Sequence, residues 1–217
     1  MENDVKEFLS ELLKQLKSID YIKPEDIPNI DLYMDQVTTF MDEQLAASKR
    51  YESDKILTKT MINNYAKNNL LPSPDKKKYS KEHVLTLLFI YYFKNILSIN
   101  DIRSILNPLT EKYFGNDDGF TMQDVYTEVF SLEAEESQKL LKDLGKKYKI
   151  AGETFEDFPD EDQKFLHTFS FICMLSFDVY IKKMLIERMI DDLNEEKAAS
   201  SHENTHSGKE SKKTGSN

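Results

Sequence analysis

A chain of 217 residues has room for one or two domains with cores of their own and does not depend on covalent staples. Its single cysteine, Cys173, excludes a disulfide framework within the chain and a cysteine-based metal site. The formal charge of −10 is unevenly spread: Lys55 to Arg103 holds nine lysines and arginines against Asp75, Glu82 and Asp101, and a positive stretch in an acidic chain points to an anionic partner, nucleic acid first.

Glycine and proline number six each, low for an all-β chain, and the expected class is mainly α. The start, MENDVKEFLS, is acidic where a signal peptide would be basic. The most apolar run, Phe165 to Ile181, is broken by His167 and Asp178 and followed by Lys182 and Lys183, too short and too polar to span a bilayer. These features predict a cytoplasmic protein without membrane contact.

In chain order, Val5, Phe8, Leu9, Leu12, Leu13, Leu16 and Ile19 have the spacing of an amphipathic helix, assigned with residues 1–28 to packing or dimerisation. Met34, Val37, Met41 and Leu45 line a second helix over residues 31–47. After a polar connector, Thr58 or Thr60 caps a short helix running through Asn68, and Asn69 suits a left-handed position after it. Leu71 to Tyr79 holds two prolines and three lysines, cannot be helical, and reads as a short hairpin or wing. Ser80 caps a helix with Val84, Leu87, Leu88, Tyr91 and Tyr92 on a broad apolar face. Ser98 with Asp101 makes an acidic capping box for a helix expected to stop at Pro108. Beyond the GNDDG loop at 115–119, the pattern gives one helix over about 121–148 and a long one to about Leu193. The apolar residues of the latter surround its axis, the mark of a core or a subunit interface. From Asn194 onward no large apolar residue occurs, and residues 194–217 are expected to be disordered.

Catalytic chemistry is hard to find. No phosphate-cradling glycine loop and no HExxH occurs, and His167 and Cys173, six apart, are expected in core packing rather than as a nucleophile and base. His202 and His206 lack further ligands, and Asn116 to Gly119 lacks the calcium-loop spacing. No enzyme, no cofactor and no metal site is expected.

The segment MINNYAKNNLLPSPDKKKYSKEHVLTLLFIYYFKNILSINDIRSIL resembles the DNA-binding head of MerR-type regulators at Tyr65, Leu70, Leu71, Pro72, Lys76 to Lys78, Tyr79 and the two helices that follow. Together with LYMDQVTTFMDEQL and LTKTMINNYAKNNLLP, it further resembles the bacterial family labelled domain of unknown function 1836, regarded as a MerR-like winged-helix group. The pattern departs at Asn63, Asn64 and Asn69, where MerR heads carry an arginine, an aromatic residue and a glycine. The resemblance implies a winged helix-turn-helix head at 29–109, followed by a helical dimerisation or sensing region at 110–193 that leaves room for a small-molecule effector or protein partner. It implies a homodimeric, non-catalytic regulator of transcription bound to double-stranded DNA. The residue chemistry adds the contacts. Lys59, Lys67, Lys76, Lys77 and Lys78 suit phosphates, Asn63 and Asn64 beside Thr60 suit base edges, and Tyr65 and Tyr79 supply packing or a phosphate hydrogen bond, the alternative being a solvated helix face at Asn63 and Asn64, core tyrosines and ordinary surface lysines. The alternative is a protein-interaction module on the same scaffold that has lost DNA binding.

Overall fold

The computed structural model describes residues 7, 8, 10, 11, 14, 22–116 and 119–210, the side chains of 133–135, 137, 138 and 200–210 excepted. Glu7, Phe8, Ser10, Glu11 and Lys14 are helical, and the rest of the first expected helix lies outside the described residues. The protein is mainly helical: β1 (Leu32–Tyr33), α1 (Met34–Gln44), α2 (Lys59–Lys67), β2 (Lys78–Tyr79), α3 (Lys81–Phe93), α4 (Ile99–Tyr113), α5 (Met122–Gly152) and α6 (Asp160–Glu210). No helix among the described residues is long and apolar enough to cross a membrane.

Each expected helix after the first is present, and three begin at the residues whose side chains can take up orphan amides. Thr58 Oγ1 accepts from Met61 N at 3.2 Å, Ser98 and Asp101 cap each other at 3.2 Å, and Thr121 N donates to Asp124 Oδ2 at 2.8 Å. α2 ends in a Schellman motif. Asn69 sits at φ 55°, its N–H reaches Ala66 O and Leu70 N reaches Tyr65 O at 2.9 Å, so buried Leu70 packs back on the helix it follows. The wing strand pairs antiparallel with β1, Leu32 opposite Tyr79 and Tyr33 opposite Lys78. This pairing has no counterpart in the sequence reading, which assigned residues 31–33 to the start of α1.

α3 is the centre of the core. His83 through Ile90 are all buried, Phe89 packs on Tyr126 and Phe130 of α5, and the same cluster takes in Val37 and Met41 of α1, Ile62 and Tyr65 of α2, and Ile102 and Leu106 of α4. The boundary expected at residue 109 falls inside this core, since Met122 and Tyr126 are fully buried in it and Tyr126 donates its hydroxyl to Ile22 O at 2.9 Å. α5 and α6 then pack as an antiparallel pair, with Lys147 of α5 ion-paired to Asp178 of α6 and Tyr148 edge-on to Phe171 at 5.4 Å.

Three expectations change. α4 does not stop at Pro108 but carries it inside and runs on to Tyr113. Proline has no N–H to donate to the carbonyl four residues earlier, which is Ser104, and Lys197 Nζ occupies that acceptor at 2.8 Å. Disorder from Asn194 gives way to helix through Glu210, because Glu195, Glu196, Lys197, Ala198 and Ala199 are good helix formers and Lys197 holds this stretch to α4. Cys173 is exposed rather than packed in a core, while His167 Nε2 lies 2.8 Å from Thr154 O.

Lys197→Met is expected to lower stability by about 0.5–1 kcal/mol in urea melts, the worth of one net hydrogen bond. Pro108→Ala supplies the missing N–H, so in that background Lys197→Met is expected to be nearly neutral.

Candidate nucleic-acid interface

The amphipathicity of α2 decides what it can offer. Ile62 and Tyr65 turn into the core, so the helix is anchored by one face and Lys59, Thr60, Asn63, Asn64 and Lys67 are left on the exposed face. Two cations, a hydroxyl and two amides on one short helix combine groups that hold phosphates with groups that pair with base edges. Lys59 is ion-paired with Asp35 from the first turn of α1, which offsets part of its charge. Asn68 Nδ2 donates to Asn64 O at 2.8 Å and closes the helix end, and the Asn63 and Asn64 side chains are exposed.

Of the two roles expected for the tyrosines, packing or a phosphate hydrogen bond, burial favours packing. Tyr65 and Tyr79 are packing residues, and burial raises the pKa of both phenols.

The wing is built on a tight turn. Asp75 O accepts from Lys78 N at 2.8 Å, and the two residues between, Lys76 and Lys77, sit at φ 46° and 67°, the paired left-handed geometry of a type I′ turn. Asn-Gly is the usual choice there, so two lysines place side-chain charge at the tip at the cost of backbone strain. Lys76 and Lys77 are exposed, whereas Lys78 is half-buried with Nζ 5.5 Å from the centre of the Tyr33 ring, clamping the wing to β1. The positive segment is thus thinner on the surface than in the sequence. Lys94 is drawn inward to donate to Ile56 O at 2.7 Å, and burial lowers its pKa.

His83, which sequence reasoning passed over, holds the wing to α3. Its Nδ1 accepts from Ser80 N at 3.0 Å, a capping box with histidine in the place usually held by Glu or Gln, so the neutral ring carries its hydrogen on Nε2. The ring lies edge-on between Tyr79 of the wing, at 5.5 Å, and Phe114 after α4, at 4.7 Å. Nε2 is buried without a hydrogen-bond partner among the described residues. Burial lowers its pKa, outweighing the opposite pull of the Ser73 and Pro72 backbone and of Asp31. The available signal was the S-x-x-H spacing after the wing, which has the capping-box form with the wrong residue type.

Elsewhere, among the described residues no three metal-ligating side chains cluster. The helical region holds concavities among the described residues. One of about 680 Å³ is bordered by Phe8, Tyr148, His167 and Phe171, and an apolar groove of about 320 Å³ runs between Phe93, Ile96 and Ile105 and the α6 residues Ile186, Met189 and Leu193.

The unit that carries the α2 face and the wing closes where Tyr126 meets Ile22. Residues 22–129 match the family model of DUF1836, a domain of unknown function. The DUF1836 match spans most of the core around α3 and ends just short of Phe130, leaving out most of α5 and all of α6, whose Phe130 and Ile190 also belong to that core. No curated protein matches the chain, and no solved structure does.

Lys77→Gly, which removes a Cβ at φ 67°, is expected to raise stability by about 1 kcal/mol, read as a higher urea midpoint with unchanged slope. For His83 the folded pKa lies below the ordinary value near 6.5, so the unfolded chain binds the proton more tightly. Its contribution to stability is whole above pH 6.5 and is lost as pH falls through the folded value. Urea melts between pH 8 and 5 are expected to show this decline in the native protein and a smaller one in His83→Gln.

Proposed function

We propose that the DUF1836 segment is a MerR-like winged helix-turn-helix head that binds double-stranded DNA, and that the protein is a non-catalytic regulator of transcription. α2 is the recognition helix, laid in the major groove with Asn63 and Asn64 towards base edges, and the lysine turn grips the backbone beside it. The observation that carries this reading is the division of α2, with Ile62 and Tyr65 in the core and every amide and cation of the helix on the outside. The type I′ turn supports it, because it presents Lys76 and Lys77 where asparagine and glycine would fold more easily. The rival reading, an interaction module on this scaffold, draws support from Lys59 and Lys94, whose charges are engaged within the protein.

The test is affinity of the full chain for sequences selected from random duplex DNA, measured against salt. Lys76→Ala with Lys77→Ala is expected to weaken binding to all sequences and to flatten the log–log salt slope by about 2, one unit per phosphate contact. Asn63→Ala is expected to relax preference at one base pair by about 1–3 kcal/mol. Absence of duplex binding by the folded native chain at low salt overturns the proposal in favour of the rival.

A further inference from the structure

The seam between α4 and α6 holds two concavities end to end. The first is the apolar groove of about 320 Å³, floored by buried Leu97 and Ile190 and walled by Phe93 and Ile105 on one side and Ile186 and Leu193 on the other. Every side chain that lines it is a hydrocarbon or a thioether, so the groove offers no hydrogen-bond donor. Met189 and Ile96 at its rim are 57% and 44% exposed. The second concavity, of about 270 Å³, begins where Leu193 gives way to Asn194 and Ile105 to Ser104, and Arg103, Asn107, Glu111 and Lys197 line it as well. The two ends of the seam differ in charge. At the Ile96 end, Lys183 Nζ donates to Ile96 O at 2.9 Å and pairs with Glu187, so that cation is met within the protein. At the other end Arg103 and Lys197 accompany a single acid, Glu111, two cations against one anion. Arg103 is exposed and bonds at 3.0 Å to a neutral amide, Asn100 Oδ1, while Lys197 lies against Ser104 O. From Ile186 to Lys197 the seam runs about 16 Å at 1.5 Å per residue.

We infer that this seam binds a single-chain amphiphile with a carboxylate head, its tail in the groove and its carboxylate on Arg103. An unbranched hydrocarbon tail suits a slot that is long, apolar and without a donor. A monoanion suits an excess of one positive charge, and a guanidinium takes a carboxylate through two parallel hydrogen bonds. A molecule with no head leaves Arg103 unused, and a cationic head meets charge of its own sign. The ligand touches α4 and α6 together, so binding fastens the long helix across the same seam that Lys197 crosses to Ser104 O. The site stands whether or not α2 meets DNA.

Titration calorimetry of the full chain with octanoate, decanoate and dodecanoate, each below its micelle concentration, is expected to give one site per chain and a dissociation constant that falls about fourfold per added methylene. Dodecyltrimethylammonium, the same tail under a cationic head, is expected to bind on the order of 10-fold more weakly than dodecanoate. Arg103→Ala, at an exposed position, is expected to weaken dodecanoate about 10-fold and to spare the cationic amphiphile. Met189→Gln, also exposed, puts an amide in the groove and is expected to weaken both about 10-fold, with helical circular dichroism unchanged in each variant. Affinity independent of tail length, equal affinity for the two heads, or dodecanoate binding indifferent to Arg103→Ala overturns the assignment. Two further results overturn it. Binding to phosphatidylglycerol vesicles that dodecanoate does not displace makes the seam a bilayer contact, and a sedimentation mass that falls on Met189→Gln without amphiphile makes it a contact between copies.

Discussion

Eight consecutive buried residues on one helix, His83 to Ile90, leave α3 no solvent face. A helix so placed must find apolar neighbours in every direction, and the chain supplies them from both sides in sequence: β2 before it, α4 and α5 after it, and α1 and α2 through the shared cluster. Its one buried hydroxyl, Thr86, is satisfied by Glu82 O at 2.8 Å within the helix, so the polar cost of burial is met locally. The α2 face and the wing inherit their positions from this helix, the first through Ile62 and Tyr65 and the second through Tyr79 and His83.

Lysine is the second recurring device. Lys94, Lys183 and Lys197 each reach a main-chain carbonyl far away in sequence, at Ile56, Ile96 and Ser104. The surface ion pairs contribute little by comparison, being exposed and screened by salt. A long flexible stem ending in three donors can satisfy a carbonyl that the local backbone cannot, and all three contacts lie where a helix or connector has run out of backbone partners. They tie the connector before α2 and the far half of α6 to the core, and Lys94, the one of the three that belongs to the cationic segment, is withdrawn from its surface.

The parts of this fold legible in the sequence are those decided within a few residues. Thr58, Ser98 and Asn69 announce helix ends because their side chains or backbone preferences act locally, and the Met34/Val37/Met41/Leu45 face of α1 follows from periodicity. What was hidden is non-local. A two-residue strand has no period to detect, so the pairing of Leu32 with Tyr79 could not be seen from either segment alone. Pro108 reads as a stop until a lysine 89 positions later fills the place it vacates. Of the candidate interface, the outward lysines and asparagines were legible, whereas the burial of Tyr65 and Tyr79 depends on α3 lying beneath them. Cys173 shows the same limit, since an apolar helix reads as core until one counts how much of it the neighbours cover.

α6 runs from Asp160 to Glu210 without a proline, about 75 Å of unbroken helix at 1.5 Å per residue. Its first part packs on α5 and its middle is bolted to α3 and α4, so it is a lever with no joint between the two. A rod of this kind transmits angle: tilting it by about 5° carries a point 30 Å along its length through roughly 3 Å, with no rearrangement inside the domain it turns. A load on the first part of α6 is therefore carried into the contacts its middle makes with α3 and α4.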